Sequence, residues 1–398
     1  MVVESISTTL ATGRRAGALT FGAIFALESL VRSLNSTVVS LQAYDLLGTS
    51  QKVSELSTVV SLSVLVTTLL FPFLLGRMRR RWAYTIGIVV MILASMLLAS
   101  FTVAGQAGGM YFRNCGAAMM NITLSLYIMD HIRRADLARS EPIRLSLSTF
   151  SWMVGPASGV WLYIHFGTWG PQIAAIAAAA GLFILFWYLR LSDRVTMTSG
   201  TLQPFNPLGN VMRFMRQPRL RLAWVIAFGR SCFWSTFFIY GPLLMVEGGV
   251  RKQVSGLMIS ASQGLLLCAY LFGRLAVRIG VRPVISLCFL AIAASSVAVG
   301  LAGKDLPYLA MFFMLVAALA ATGLDGVGGI PFLRAVRPHE RQRMAPVYRT
   351  YIDFSDLIPA IVFAVALSFF EIGSVFIILG IALAVVGSIA FRYLPKSL

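Results

Sequence analysis

Three polar side chains lie near the middle of one long apolar stretch, residues 17–44. Glu28, Arg32 and Asn35 supply an acid, a base and an amide, and Glu28 and Arg32 are four residues apart, on one face of a helix. A charge in hydrocarbon is costly, so such residues face a protein interior or a water-filled cavity. Glu28 is therefore a candidate proton-coupling carboxylate, and Arg32 and Asn35 are candidate substrate-binding residues. A fixed ion pair with only a structural role accounts for the same pattern.

A second set of ionisable and aromatic residues lies in later apolar stretches. Arg230 is followed one turn later by Trp234, and Tyr240 is nearby. A buried guanidinium needs a carboxylate or phosphate, either on the protein or on a substrate. These residues indicate either a binding site or a charge network that stabilises this part of the chain. Arg113, in an earlier stretch, either attracts an anion or extends to the membrane interface. The candidate partners of Arg230, which are also candidate proton-coupling residues, are Asp325, Asp353 and Asp356.

The composition predicts an integral membrane protein. Of the 398 residues 58% are hydrophobic and only 12% are charged, whereas soluble domains carry roughly a quarter charged residues. Hydropathy and turn residues predict an all-α protein with twelve transmembrane helices. The predicted spans are approximately 17–44, 54–75, 82–104, 108–131, 146–166, 171–190, 222–246, 253–273, 282–302, 307–330, 347–370 and 374–394.

The long polar connection in the middle divides the chain into two halves. We expect an N-terminal six-helix half at residues 1–190, a cytoplasmic linker at 191–221 and a C-terminal six-helix half at 222–398. The sequence G-R-[ML]-x-x-R begins at Gly76, after the second span, and again at Gly273, after the eighth. Internal repetition of this kind predicts two pseudo-symmetric, parallel halves with a binding site between them.

The net charge of +18 follows the membrane topology. Most Lys and Arg residues fall in connections on one side of the predicted spans, which predicts that both termini are cytoplasmic. The pattern excludes a nucleic-acid partner, and a bacterial inner membrane is the expected location. The four cysteines lie in apolar segments without metal-ligand spacing, and the sequence contains no nucleophile, metal or phosphate-binding motif. We therefore expect neither an enzyme nor a bound cofactor or metal.

Three short motifs resemble those of the major facilitator superfamily. The loop after the second span of that family carries a glycine- and arginine-rich motif, and its aspartate is replaced here by Arg80 and, in the second copy, by Val277. The fifth span carries a G-P-x-x-G sequence similar to a motif of proton-coupled antiporters. Its glycines would allow close helix packing, and its proline would bend the helix. The residues that match these motifs are Gly76, Arg77, Arg81, Gly155, Pro156, Gly159, Gly273, Arg274 and Arg278.

The resemblance implies the major facilitator fold and a secondary transporter that works by alternating access. We expect proton-coupled efflux of a small organic molecule by antiport, in a monomer embedded in the bilayer. The intramembrane arginines favour an anionic or zwitterionic substrate. Two alternatives remain: uptake of an organic anion, and a receptor or assembly factor that has a carrier fold but does not transport.

Overall fold

The chain is almost entirely helical over the residues that the structure describes. The structure is a computed structural model, and every predicted span coincides with one or more of its helices. The described residues are 18–76, 78–131, 134–189, 207–337 and 340–395.

The chain forms two compact units. Among the described residues, the first unit contains 18–47 and 62–189, and the second contains 48–61 and 207–395. The helix at Ser50–Gly76 therefore begins in the second unit and ends in the first. We number this helix α3. The other helices of the first unit are α1 (Ala18–Leu34), α2 (Val38–Leu47), α4 (Arg80–Ala99), α5 (Val103–His131), α6 (Arg134–Phe166) and α7 (Trp169–Tyr188).

The longer segment of the second unit begins, among the described residues, with a short helix in the predicted linker. That helix, α8, precedes the long α9 with only two residues between them, while residues 190–206 of the linker lie outside the described residues. The helices of this unit are α8 (Pro207–Met215), α9 (Pro218–Glu247), α10 (Lys252–Gly264), α11 (Ala269–Ile279), α12 (Val281–Ala302), α13 (Pro307–Val327), α14 (Ile330–Ala335), α15 (Arg341–Arg349), α16 (Tyr351–Ala366) and α17 (Gly373–Tyr393).

Several helical segments among the described residues have the length and hydropathy of membrane spans. Their apolar windows carry at most two charged residues, and a length of 20 residues or more is enough to cross the hydrocarbon core. The seven segments are Arg80–Ala99, Trp169–Tyr188, Pro218–Glu247, Lys252–Ile279, Val281–Ala302, Pro307–Ala335 and Gly373–Tyr393.

The predicted first span is not a continuous helix. It breaks at residues 35–37 between α1 and α2. Ser36 donates both its amide and its hydroxyl to the carbonyl of Ser33, at 3.1 and 2.8 Å, and so takes an acceptor that the helix would use. Such local side-chain bonds compete with the helical ladder. The predicted eighth span is likewise interrupted, by a 3₁₀ turn at Leu265–Cys268, and the predicted eleventh is divided between α15 and α16.

The packing of α6 against α1 in the first unit is fixed by hydroxyl groups and glycines. The hydroxyls of Ser29 and Ser148 are 2.8 Å apart, and Ser33 donates to the carbonyl of Ser151 at 3.0 Å. Ser151 donates in turn to the carbonyl of Ala26 at 2.8 Å. Small residues allow helix backbones to approach closely in membranes, where a hydrogen bond between helices replaces one to water.

Candidate functional site

Arg230 and Asp325 form an ion pair in the second unit. Arg230 lies on α9 and Asp325 lies near the end of α13, so packing of these two helices brings the groups together. The indole nitrogen of Trp234 donates to the other carboxylate oxygen of Asp325 at 2.9 Å. Both carboxylate oxygens thus accept hydrogen bonds from α9. The side chains of Arg230 and Asp325 are 23% and 20% exposed, so a small molecule at the protein surface could reach the pair.

Tyr351, which the sequence reasoning missed, completes this cluster. Its hydroxyl accepts a hydrogen bond from Arg230 at 3.2 Å, and the guanidinium carbon lies 5.8 Å from the centre of its ring. Tyr351 is the first residue of α16, where the predicted eleventh span resumes. Arg230 therefore has a carboxylate on one side and a phenol on the other. We define the Arg230 cluster as Arg230, Trp234, Asp325 and Tyr351.

Among the three carboxylates named as partners for Arg230, the structure pairs it with Asp325. Asp353 is half-buried on α16, and Asp356 is exposed one turn later. Tyr240 lies apart from the cluster. It is buried and its hydroxyl is 2.5 Å from that of Ser54, with its ring 5.1 Å from that of Phe363.

Glu28 is fully buried in the first unit. The hydroxyl of Tyr84 donates to its carboxylate at 3.3 Å. Tyr84 belongs to an apolar core of the unit, and a carboxylate that is buried beside that core is shielded from water. The residues of that core are Phe21, Ile24, Val31, Tyr84, Ile88, Met91, Met120, Leu124, Tyr127, Ala179, Leu182 and Phe186.

The other predicted binding residues of the first unit gather around the end of α1. Arg113 donates to the carbonyl of Arg32 at 3.0 Å, which places a positive charge at a helix C-terminus, where it is favourable. The guanidinium carbon of Arg32 lies 6.0 Å from the ring centre of Trp152. Asn35 is buried and donates to the side-chain oxygen of Gln172 at 3.0 Å. The sequence signal for Gln172 was only a polar residue in an apolar span.

The predicted conformational motifs differ in their packing. A Cβ atom at Gly159 would overlap the carbonyl oxygen of Leu34, and one at Gly155 would overlap the hydroxyl of Ser33, so both positions require glycine. Pro156 is buried between these glycines. Gly273 has no neighbour within 4 Å of its Cβ position, so close packing does not explain it.

The arginines of the two loop motifs make local contacts. The guanidinium carbon of Arg81 lies 3.8 Å from the centre of the Trp187 ring, a cation–π contact within the first unit. Arg274 lies over the ring of Tyr270 at 4.6 Å, one turn away on the same helix, and Arg278 is exposed. Gly76 is the last residue of α3. Arg77 lies outside the described residues.

The first unit also contains a pocket of about 600 Å³ beside α3 and α5. The hydroxyls of Thr67 and Tyr111 are 2.7 Å apart in its wall. None of the predicted site residues lines it; the lining residues are Leu62, Ser63, Val66, Thr67 and Tyr111.

Comparison with known proteins decides the family. The family model described as Major Facilitator Superfamily matches residues 21–269, more than half of the chain. The chain belongs to the Major Facilitator Superfamily. This superfamily member is a multi-pass membrane transporter and not an enzyme. A sequence comparison with curated proteins gives no significant match.

Solved transporters share the fold. A POT family transporter in complex with 5-aminolevulinic acid has a TM-score of 0.73 at 14% identity, with 97% of each chain covered. A D-xylose-proton symporter has a TM-score of 0.75 at 11% identity, covering 95% of this chain and 98% of its own. The nucleoside transporter NupG has a TM-score of 0.72 at 15% identity, covering 94% of this chain and 99% of its own. The predicted all-α major facilitator fold is confirmed.

Proposed function

We propose that this superfamily member is a proton-coupled antiporter that exports a small zwitterionic organic molecule. The observation that carries the proposal is the Arg230–Asp325 pair, an accessible acid and base in otherwise apolar spans. Charged residues at such positions mark substrate and proton pathways. The flanking rings of Trp234 and Tyr351 supply aromatic surface for the organic part of a substrate.

The Arg230–Asp325 pair makes the type of coupling, antiport or symport, depend on the charge of the substrate. The carboxylate of a zwitterion would bind Arg230, and its ammonium group would bind Asp325 in place of a proton. Proton and substrate would then exclude each other, which is the requirement for antiport. A purely anionic substrate would instead release Asp325 from Arg230 and favour its protonation, so that proton and substrate bind together.

This second case is the alternative function, uptake of an organic anion by symport. One of the structural neighbours is a D-xylose-proton symporter, so the shared fold is compatible with movement of proton and substrate in the same direction. Export is favoured by the G-P-x-x-G sequence at Gly155, which is similar to the motif of proton-coupled antiporters.

Glu28 is proposed as a second proton-exchanging carboxylate. It is fully buried and bonded to Tyr84, so its ionised form depends on nearby partners and would respond to a rearrangement of the first unit. The proposed binding residues in that unit are Arg32, Asn35 and Arg113. Both termini are proposed to be cytoplasmic, in a bacterial inner membrane, on the distribution of Lys and Arg in the sequence.

The test is proton movement in proteoliposomes that contain a trapped pH-sensitive dye. The external probes are 5-aminolevulinic acid and a dipeptide as zwitterions, a dicarboxylate as an anion, and xylose as a neutral solute. Antiport predicts that entry of a zwitterion makes the interior more alkaline. Symport predicts that entry of the anion makes it more acidic.

Two variants make the assignment specific to Asp325. Asp325→Asn should abolish the pH change, because an amide cannot exchange a proton. Glu371→Gln is the matched control, because Glu371 is an exposed loop carboxylate outside the Arg230 cluster. This variant should retain the pH response. Movement of every probe without any pH change, or an undiminished response in Asp325→Asn, would contradict the proposal.

A further inference from the structure

The apolar face of the short helix α8 is only partly covered by protein. Phe214 is buried, at 2% exposure, in an apolar cluster of the second unit. Val211, Met212 and Met215 are 44%, 63% and 54% exposed. At 100° per residue, these three side chains continue the apolar face that begins at Phe214. The part of that face beyond Phe214 is open in the described chain.

An ion pair fixes α8 in this orientation. Arg213 bonds to Glu340 at 2.6 Å, and the side chain of Glu340 is only 4% exposed. Gln217, just after the helix, donates to the other carboxylate oxygen of Glu340 at 3.4 Å. Because Glu340 lies in the same unit, immediately before α15, it anchors the helix on one edge. The exposed methionines are thus held outward.

The position of α8 along the chain places it at a membrane surface. α8 ends at Met215, and α9, which has the length and hydropathy of a span, begins at Pro218. Two intervening residues cannot carry α8 far from the end of that span. An apolar surface at that level is covered either by protein or by the boundary between headgroups and acyl chains.

The charged residues within the sequence of this junction are all arginines. Residues 207–246 contain no Asp or Glu, and three arginines are exposed, namely Arg213 on α8, Arg216 in the connection and Arg219 at the start of α9. Arg213 and Arg216 lie on the side of α8 opposite to Val211 and Phe214. A short helix with methionine and valine on one face and arginine on the other has the pattern of an interfacial helix that is attracted to anionic lipid.

We propose that α8 lies in the membrane interface and binds anionic phospholipid headgroups through Arg216 and Arg219, with Met212 and Met215 in the adjoining acyl region. The partner is the lipid surface itself, and the inference does not depend on the substrate of the transporter. Arg213 is held by Glu340, so Arg216 and Arg219 are the arginines assigned to headgroups.

The full chain is tested in vesicles of phosphatidylcholine and in vesicles of an equimolar mixture of phosphatidylcholine and phosphatidylglycerol. A nitroxide on Met212→Cys reports depth through collisions with oxygen, which enriches in acyl chains, and with a water-soluble nickel complex. Unsubstituted protein treated with the label gives the background from the native cysteines. We expect greater oxygen than nickel access, with a larger difference in the mixed vesicles.

Arg216→Gln/Arg219→Gln tests the headgroup contact. Retention of phosphatidylglycerol by purified protein, measured by native mass spectrometry, should fall about tenfold, since each arginine near an anionic surface contributes a several-fold factor. Arg251→Gln/Lys252→Gln, with the same loss of charge in another connection, should retain wild-type binding.

Four results would overturn the inference. High nickel access at position 212 in both vesicles would place the methionine face in water. Shielding from both reagents would mean that protein, from this chain or a second copy, covers the face. Equal oxygen access in both vesicle types would exclude recognition of anionic headgroups, and so would unchanged phosphatidylglycerol retention in a folded arginine variant. The lipid comparison uses a single position, so it remains decisive if the double variant does not fold.

Discussion

Arg230 and Asp325 are 95 residues apart in the sequence and form an ion pair in which Trp234 holds the second carboxylate oxygen. Removing one member leaves a mostly buried, uncompensated charge. Asp325→Asn should therefore lower the free energy of unfolding by about 3 kcal/mol, and Arg230→Gln by a similar amount. The double variant Arg230→Gln/Asp325→Asn should lose less than the two single losses combined. Thermal unfolding in detergent measures all three; strictly additive losses would show that the two groups do not interact.

Tyr351 should contribute to substrate binding more than to stability. Tyr351→Phe removes the hydroxyl that accepts a hydrogen bond from Arg230 and keeps the ring beside the guanidinium. The apparent KM for the transported solute should rise about tenfold, since one hydrogen bond to a charged group contributes about 1.5 kcal/mol. Tyr270→Phe is the matched control, because it also removes only a hydroxyl from a ring that lies beside a guanidinium, that of Arg274 at 4.6 Å. An equal change in both variants would indicate a general packing effect.

Glu28 gives a separate prediction in inside-out membrane vesicles. Glu28→Gln should abolish proton-coupled movement and preserve folding, because glutamine can still accept the hydrogen bond from Tyr84. Tyr84→Phe, which removes the donor, should alter the pH dependence of transport without abolishing it. Normal coupling in Glu28→Gln would remove Glu28 from the proposed mechanism and leave Asp325 as the proton-exchanging group.

Gly159 should tolerate no side chain. In Gly159→Ala the added methyl group would overlap the carbonyl oxygen of Leu34, so α1 and α6 would have to separate, at a cost of about 1–3 kcal/mol. Gly181→Ala is the control within a helix of the same unit. It has no neighbour within 4 Å of its Cβ position and should gain about 0.5–1 kcal/mol from helix propensity. Thermal unfolding of the two variants should shift in opposite directions, and a shared direction would refute the packing argument.

The pair formed by Lys304 and Glu371 predicts an effect of pH on stability. The ammonium group donates to Glu371 at 2.7 Å, and this hydrogen bond raises the pKa of Lys304 above its ordinary value of 10.5. A raised pKa in the folded state stabilises the fold below the ordinary lysine value, and the contribution is lost as the pH rises through the folded-state value. The unfolding midpoints of wild type and Lys304→Gln should therefore converge in alkaline buffer and, because the pair is exposed, in high salt. A difference that persists under both conditions would point to another cause.

Hydropathy was sufficient to predict helices at every expected span, because the bilayer requires long apolar helices whatever their partners. It did not reveal the break at residues 35–37, because that break depends on which backbone carbonyl the hydroxyl of Ser36 bonds. Even there the composition gave a signal, since three hydroxyl or amide residues follow Leu34 in succession.

The candidate site was only partly predictable. Arg230 and Trp234 stand out because a charge and an indole are rare in an apolar span. The choice of Asp325 over two other carboxylates depends on which face of α13 meets α9, and spacing along one helix does not contain that information. Tyr351 was missed because a tyrosine at the start of a span is commonplace at a membrane interface. The close packing expected of the G-P-x-x-G glycines is present at Gly155 and Gly159, whereas Gly273 of the loop motif has open surroundings.

The hydroxyl contacts between α1 and α6 fix the axial register of the two helices. Sliding one past the other by a single turn would break the bonds that Ser33 and Ser151 make. We therefore expect the two helices to move together as one rigid body. The backbone leaves the helical path after Leu34, so the first crossing can change direction there while the packing of Ser33 against Ser151 is kept.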